Sequence, residues 1–156
     1  MVKKILPWIV FSVLFAFLII GFAMKGSMNN YLSRMMKEHA SPELLISGEI
    51  LIDSLYNYSK NGLSYEITFL EFGAKGCSAC KRMESVLEEI STKYPSRVNV
   101  KFINILLPEN QVLMKYYGIA TIPTQVLLDK GRNVFFRNTG YYSTEEMEKE
   151  FAFSKK

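Results

Sequence analysis

The sequence is short of several residues, and each shortage excludes a class of protein. Of its 156 residues, two are cysteine, one is histidine and one is tryptophan. Two cysteines are too few for a disulfide scaffold, and they cannot close a four-thiolate zinc site within one chain. Five prolines and nine glycines are too few for a low-complexity polymer, and a hydrophobic share of 49% is too high for intrinsic disorder. No run of like charges exceeds three residues. The formal balance of +4 has a local origin: Lys3, Lys4 and Lys25 flank one apolar stretch, and without them 19 Lys+Arg become 16 against 15 Asp+Glu. A chain this nearly neutral lacks the clustered basic face that phosphate binding needs, which argues against a nucleic-acid partner.

From Ile5 to Met24 the chain carries no charge. At about 1.5 Å per residue, a helix of that length spans about 30 Å, the hydrocarbon thickness of a bilayer. Pro7 falls in the first turn, where a missing N–H costs little, and Trp8 sits where an interfacial aromatic would. Residues 1–25 are therefore expected to form a transmembrane signal-anchor. A cleaved, secreted form is the alternative, because Gly21 and Ala23 supply the small residues that a signal peptidase requires. Lys3 and Lys4 favour a cytoplasmic start, so either reading places the remainder outside the cytoplasm. Residues 26–43 are polar and are expected to act as a tether. His39, the only histidine, lies among them and is expected to face solvent.

From residue 44 to the end the elements alternate. Leu44–Ser47 reads as a short strand, and Glu49–Ser59 as a helix punctuated by Asn61-Gly62. Glu66–Phe72 is rich in β-branched and aromatic residues, which predicts a buried strand. In Ser78–Tyr94 the apolar residues Met83, Val86, Leu87 and Ile90 recur at helical spacing, and Pro95 ends the run. Val98–Ile105 predicts a strand and Glu109–Tyr117 a helix closed by Gly118. Thr124–Leu128 and Asn133–Asn138 predict a hairpin across Asp129–Arg132. Ser143 with Glu146 three residues on forms a capping box for a last helix through Phe153. This order implies an α/β architecture, with a central mixed sheet flanked by helices.

The two cysteines lie between the predicted strand and the helix that follows it, in Cys77-Ser78-Ala79-Cys80. That position puts Cys77 at a helix N-terminus, where free N–H groups and the helix dipole stabilise a thiolate. Cys80 is one turn on, within reach for a disulfide. One thiol of such a pair can attack a substrate disulfide and the other can release the product. A purely structural bridge across so small a loop would stabilise little.

The stretch FLEFGAKGCSAC, its following helix and the later GIATIPT resemble the thioredoxin family over residues 44–153. The resemblance implies a thioredoxin-like fold and a thiol–disulfide oxidoreductase whose only redox group is the Cys77–Cys80 disulfide. It further implies that Cys77 attacks, that Cys80 resolves, and that Glu71 is the buried acid that handles the proton of the second cysteine. Pro123 takes the place of the family's cis proline, and Ile122 before it would offer backbone hydrogen bonds to a substrate chain. By the same resemblance Lys101 would correspond to a lysine near that acid. Departures are plain as well: Gly73 and Gly76 stand where tryptophans are customary, and the inner dipeptide is Ser-Ala. A tethered relative would act as a reductase on protein disulfides and draw electrons from a membrane donor. An oxidase or isomerase, an anchored interaction module with incidental cysteines, and a Cu(I)-handling dithiol remain the alternatives.

Overall fold

The computed structural model describes residues 2–153, apart from the side chains of residues 2–7, 9, 22–23, 25–27 and 153. The uncharged run fills α1 (Val2–Ala23) from Ile5 onward and ends at Met24, the single residue between α1 and α2 (Lys25–Glu38). Among the described residues, no helix is long and apolar enough to cross a membrane. Part of the expected anchor, namely Ile5, Leu6, Pro7, Ile9, Phe22 and Ala23, has side chains outside that description. The expected tether is largely helical. The buried hydroxyl of Ser33 in α2 donates to the Gly118 carbonyl at 2.6 Å, and the Arg137 guanidinium reaches the same carbonyl at 2.9 Å.

The expected strand at Leu44–Ser47 does not form; these residues belong to α3 (Pro42–Tyr56). Ser41 caps this helix by accepting from the Leu44 N–H at 3.3 Å, and Pro42 occupies the first turn. Burial recurs at Gly48, Ile52 and Tyr56, so the apolar run reads at helical period once its start is fixed by that cap. One turn, α4 (Tyr58–Asn61), leads to β1 (Ile67–Gly73). Then come α5 (Ser78–Lys93), β2 (Val98–Asn104), a 3-10 turn at Pro108–Asn110, α6 (Gln111–Tyr116), β3 (Thr124–Asp129), β4 (Val134–Thr139) and α7 (Thr144–Phe153). The expected helix at Glu109–Tyr117 thus divides into a 3-10 turn and a shorter α-helix. The capping box forms as expected: the Ser143 N–H donates to Glu146 Oε2 at 2.9 Å, and the Glu146 N–H donates to Ser143 Oγ at 3.3 Å.

The sheet order is β2-β1-β3-β4, with β1 and β2 parallel and the other pairs antiparallel. Because strand side chains alternate, the odd and even residues of β1 enter different cores. Leu70 and Phe72 pack with Ile52, Leu113 and Tyr117 beneath α3 and α6. Ile67 and Phe69 pack with Met83, Val86 and Phe151 beneath α5 and α7. By the same alternation Glu71 and Gly73 face the α5 side, at the end of the sheet where the cysteines begin.

Candidate active site

Cys77 is the N-cap of α5; its Sγ accepts from the Cys80 N–H at 3.2 Å. The two cysteines are joined as a disulfide, with their Cα atoms 5.2 Å apart. Their surroundings differ. Cys77 is half-buried, whereas Cys80 is 4% exposed on the buried face of α5 with Met83, Val86 and Ile90. Gly76 supplies the turn into the helix at φ 89°, a backbone region that side chains with a Cβ seldom adopt. This explains why the residue before Cys77 has no side chain. Lys75 is exposed beside the loop.

Glu71 lies two residues before the end of β1, with no exposed surface. Neither of its carboxylate oxygens has a hydrogen-bond partner. Loss of hydration penalises the charged form, and burial pushes the carboxyl from 4.5 up to about 8. The Gln125 side chain, opposite Glu71 across β1 and β3, pulls the other way by less. That amide is committed elsewhere: its Nε2 donates to the Gly140 carbonyl at 3.1 Å, and its Oε1 accepts from Asn138 at 2.8 Å.

The lysine expected near the acid is not there. Glu71 pairs with Phe102 in the parallel register, and Lys101 pairs with Leu70. Lys101 therefore faces the opposite side of the sheet, and an aromatic ring stands where a cation was sought. Period-two counting along Val98, Val100 and Phe102 carries this signal in the sequence, since all three share one face. The sequence reading missed Phe102 because it placed the lysine by analogy.

The Ile122–Pro123 peptide bond is cis. Pro123 is buried and Ile122 half-buried. Phe72 pairs with Thr124, so Pro123 leaves the sheet at the same end as Gly73. The strand order thereby gathers Cys77, Cys80, Glu71, Ile122 and Pro123 at one edge of the fold. At this edge the Ile105 N–H donates to the Gly73 carbonyl at 2.9 Å, which brings in the exposed side chains of Leu106 and Leu107.

A family model described as thioredoxin matches residues 53–152, more than half of the chain. The chain is 36% identical over 96 residues to the thioredoxin of Buchnera aphidicola, covering 61% of this chain and 85% of that one. It is 34% identical over 83 residues to the thioredoxin of Alicyclobacillus acidocaldarius, covering 53% and 76% respectively. Among solved structures, one titled as structural insights into thioredoxin-2, a component of malaria parasite protein secretion machinery, superposes with a TM-score of 0.52. That likeness, at 19% identity over 56% of this chain and 82% of the other, speaks for the fold. The fold and the cysteine pair define a thioredoxin-type thiol–disulfide oxidoreductase. This chain belongs to the thioredoxin family, whose members act on protein thiols and disulfides.

Proposed function

We propose that the protein is a membrane-tethered, extracytoplasmic disulfide reductase whose Cys77 attacks, whose Cys80 resolves and whose Glu71 carries the proton between steps. The observation that carries this reading is the asymmetry of the pair, with Cys77 at a helix N-terminus and partly open while Cys80 is buried. In the reduced protein the Cys77 thiolate attacks one sulfur of a substrate disulfide, forms a mixed disulfide and expels the other sulfur as a thiolate. Cys80 then gives its proton to the Glu71 carboxylate and attacks Cys77 Sγ. The second substrate thiolate leaves, and the Cys77–Cys80 disulfide seen in the structure forms. A membrane donor of two electrons reopens that bond, and Glu71 returns its proton to the Cys80 sulfur. A carboxyl pushed up to about 8 is close to an ordinary thiol near ~8.5, which suits proton exchange between them. Ile122 and Pro123 supply the backbone edge on which a substrate chain lies, and the redox-active disulfide is the only cofactor.

Tethering is supported by the twenty uncharged residues from Ile5 to Met24. It is also supported by the exposure of Trp8, Phe11, Leu14, Phe15 and Leu18, since a soluble chain seldom leaves such a row in water. Insulin reduction by the full-length protein tests the chemistry. Wild type should turn over, Cys77→Ser should fall to background, and Cys80→Ser should trap mixed disulfides. Turnover retained by Cys77→Ser would overturn the reading. Fractionation tests the tether: the chain should resist carbonate washing, with its C-terminal domain accessible from outside the cytoplasm. A soluble product beginning at Met24 would show cleavage in its place.

A further inference from the structure

Gly73 lacks a side chain where one would be buried, and that space is filled from the neighbouring strand. A Cβ placed on Gly73 would meet Phe102 Cε2 at 2.7 Å, Phe102 Cζ at 3.2 Å and Cys80 Cβ at 3.4 Å. The Phe102 ring and the buried cysteine thus border the same small site. Phe102 is also the register partner of Glu71, on the same face of the sheet. Phe102 is 43% exposed as a residue, and the edge of its ring lies over Gly73.

From this geometry we infer that Phe102 is a positioning residue of the redox site: its ring closes the space over Gly73 and keeps water from Glu71 and from the buried side of Cys80. This role rests on the proposed proton traffic through Glu71. Among the described residues, the groups packed around the acid are uncharged. On its face β2 contributes Phe102, β3 contributes Gln125, and β4 contributes Asn138, which is bound to Gln125. From α5 the buried Cys80 and Met83 pack over the sheet, while Lys81, Arg82 and Glu84 are solvent-exposed. Lys101 faces away. Among the described residues no charge sets the proton affinity of Glu71, so exclusion of water outweighs the opposing pull of Gln125, and Phe102 is the most exposed of the uncharged neighbours.

The test is a carboxyl titration of the purified full-length protein in its oxidised form, labelled with carbon-13 glutamate. Loss of one resonance in Glu71→Gln assigns the signal. In Phe102→Ala and in Phe102→Thr the Glu71 midpoint should fall by about one pH unit or more, because hydration returns to the charged form. Phe102→Leu keeps an apolar cover and should hold the midpoint within about a few tenths of wild type. Urea unfolding of each variant shows which are folded, and Phe102→Thr retains strand propensity if Phe102→Ala does not fold. A wild-type midpoint in a folded Phe102→Thr, or a Phe102→Leu midpoint as low as that of Phe102→Ala, would overturn the role. The titration requires no turnover, so a failure to reduce insulin would count against the proposed activity and not against this cover.

Discussion

On one side of the sheet, Leu70, Phe72, Val126 and Leu128 meet Ile52, Leu113 and Tyr117, and α3 and α6 close the layer. On the other side, Phe69 and Leu127 meet Met83, Val86, Met147 and Phe151, but the apolar surface stops at Glu71. Both faces bury a polar atom without a partner. On the closed face it is the Tyr117 hydroxyl, which stays neutral, and on the open face it is a carboxyl whose charge depends on pH. Alternation along β1 thus gives neighbouring residues opposed tasks. Leu70 and Phe72 on one face and Ile67 and Phe69 on the other hold the fold together. The last odd positions, Glu71 and Gly73, end the second face, where Gly73 lies against Cys80. A buried carboxyl is tolerated because the rest of its face packs without it.

Substitution on the closed face should show the largest loss of stability. Phe72 is fully buried, and Phe72→Ala should lower the unfolding free energy by about 3–5 kcal/mol in urea. Exchange activity per folded molecule should be retained. A slower resolving step in this variant would break the division between the faces.

Next comes the pH dependence of Glu71 in the oxidised protein. Its folded pKa is about 8 against 4.5 for the free side chain, so between these values the folded state keeps a proton that the unfolded chain releases. More protons bound in the folded state means that stability falls as pH rises through that window. Urea unfolding from pH 4 to 9 should show a loss on the order of a few kcal/mol, and Glu71→Gln should flatten the curve. Glu71→Gln should be more stable than wild type at pH 9 and should resolve mixed disulfides more slowly at every pH. A slope that survives the substitution would place the ionisation elsewhere.

Gly73→Ala sharpens the contrast by crowding the open face alone. The added methyl meets the edge of a ring that can shift, so the expected cost is about 1–3 kcal/mol. In a Phe102→Ala background, that cost should largely vanish. The smallest effect is expected at the last helix, where Ser143→Ala removes an exposed cap and should cost about 1 kcal/mol with no change in Glu71 titration.

Much of the site was legible as local chemistry. Cys77 at a helix start, Cys80 one turn on, and an acid in an apolar strand are statements about near neighbours. Their placement follows from period and caps. The capping box at Ser143 and the hairpin at Asp129–Arg132 were readable for the same reason: Asp129 Oδ1 accepts from the Gly131 and Asn133 N–H groups at 2.8 and 2.9 Å, across a few residues of chain. Leu44–Ser47 misled because a four-residue apolar run suits either a strand or a helix. The deciding contacts at Ile52 and Tyr56 lie further along the chain.

What stands beside Glu71 was settled at longer range. The pairing of Glu71 with Phe102 depends on strands about thirty residues apart meeting in one parallel register, and a slip of one residue would exchange a phenylalanine for a lysine. Local propensity and motif spacing assigned the elements, the redox pair and the acid, because those depend on residues within a turn or a strand of one another. Register and packing decided that the acid has a ring for a neighbour and no cation, and that Gly73 is the space that ring occupies. Contacts between distant segments are set by how whole layers fit, and no short stretch of the chain contains that information.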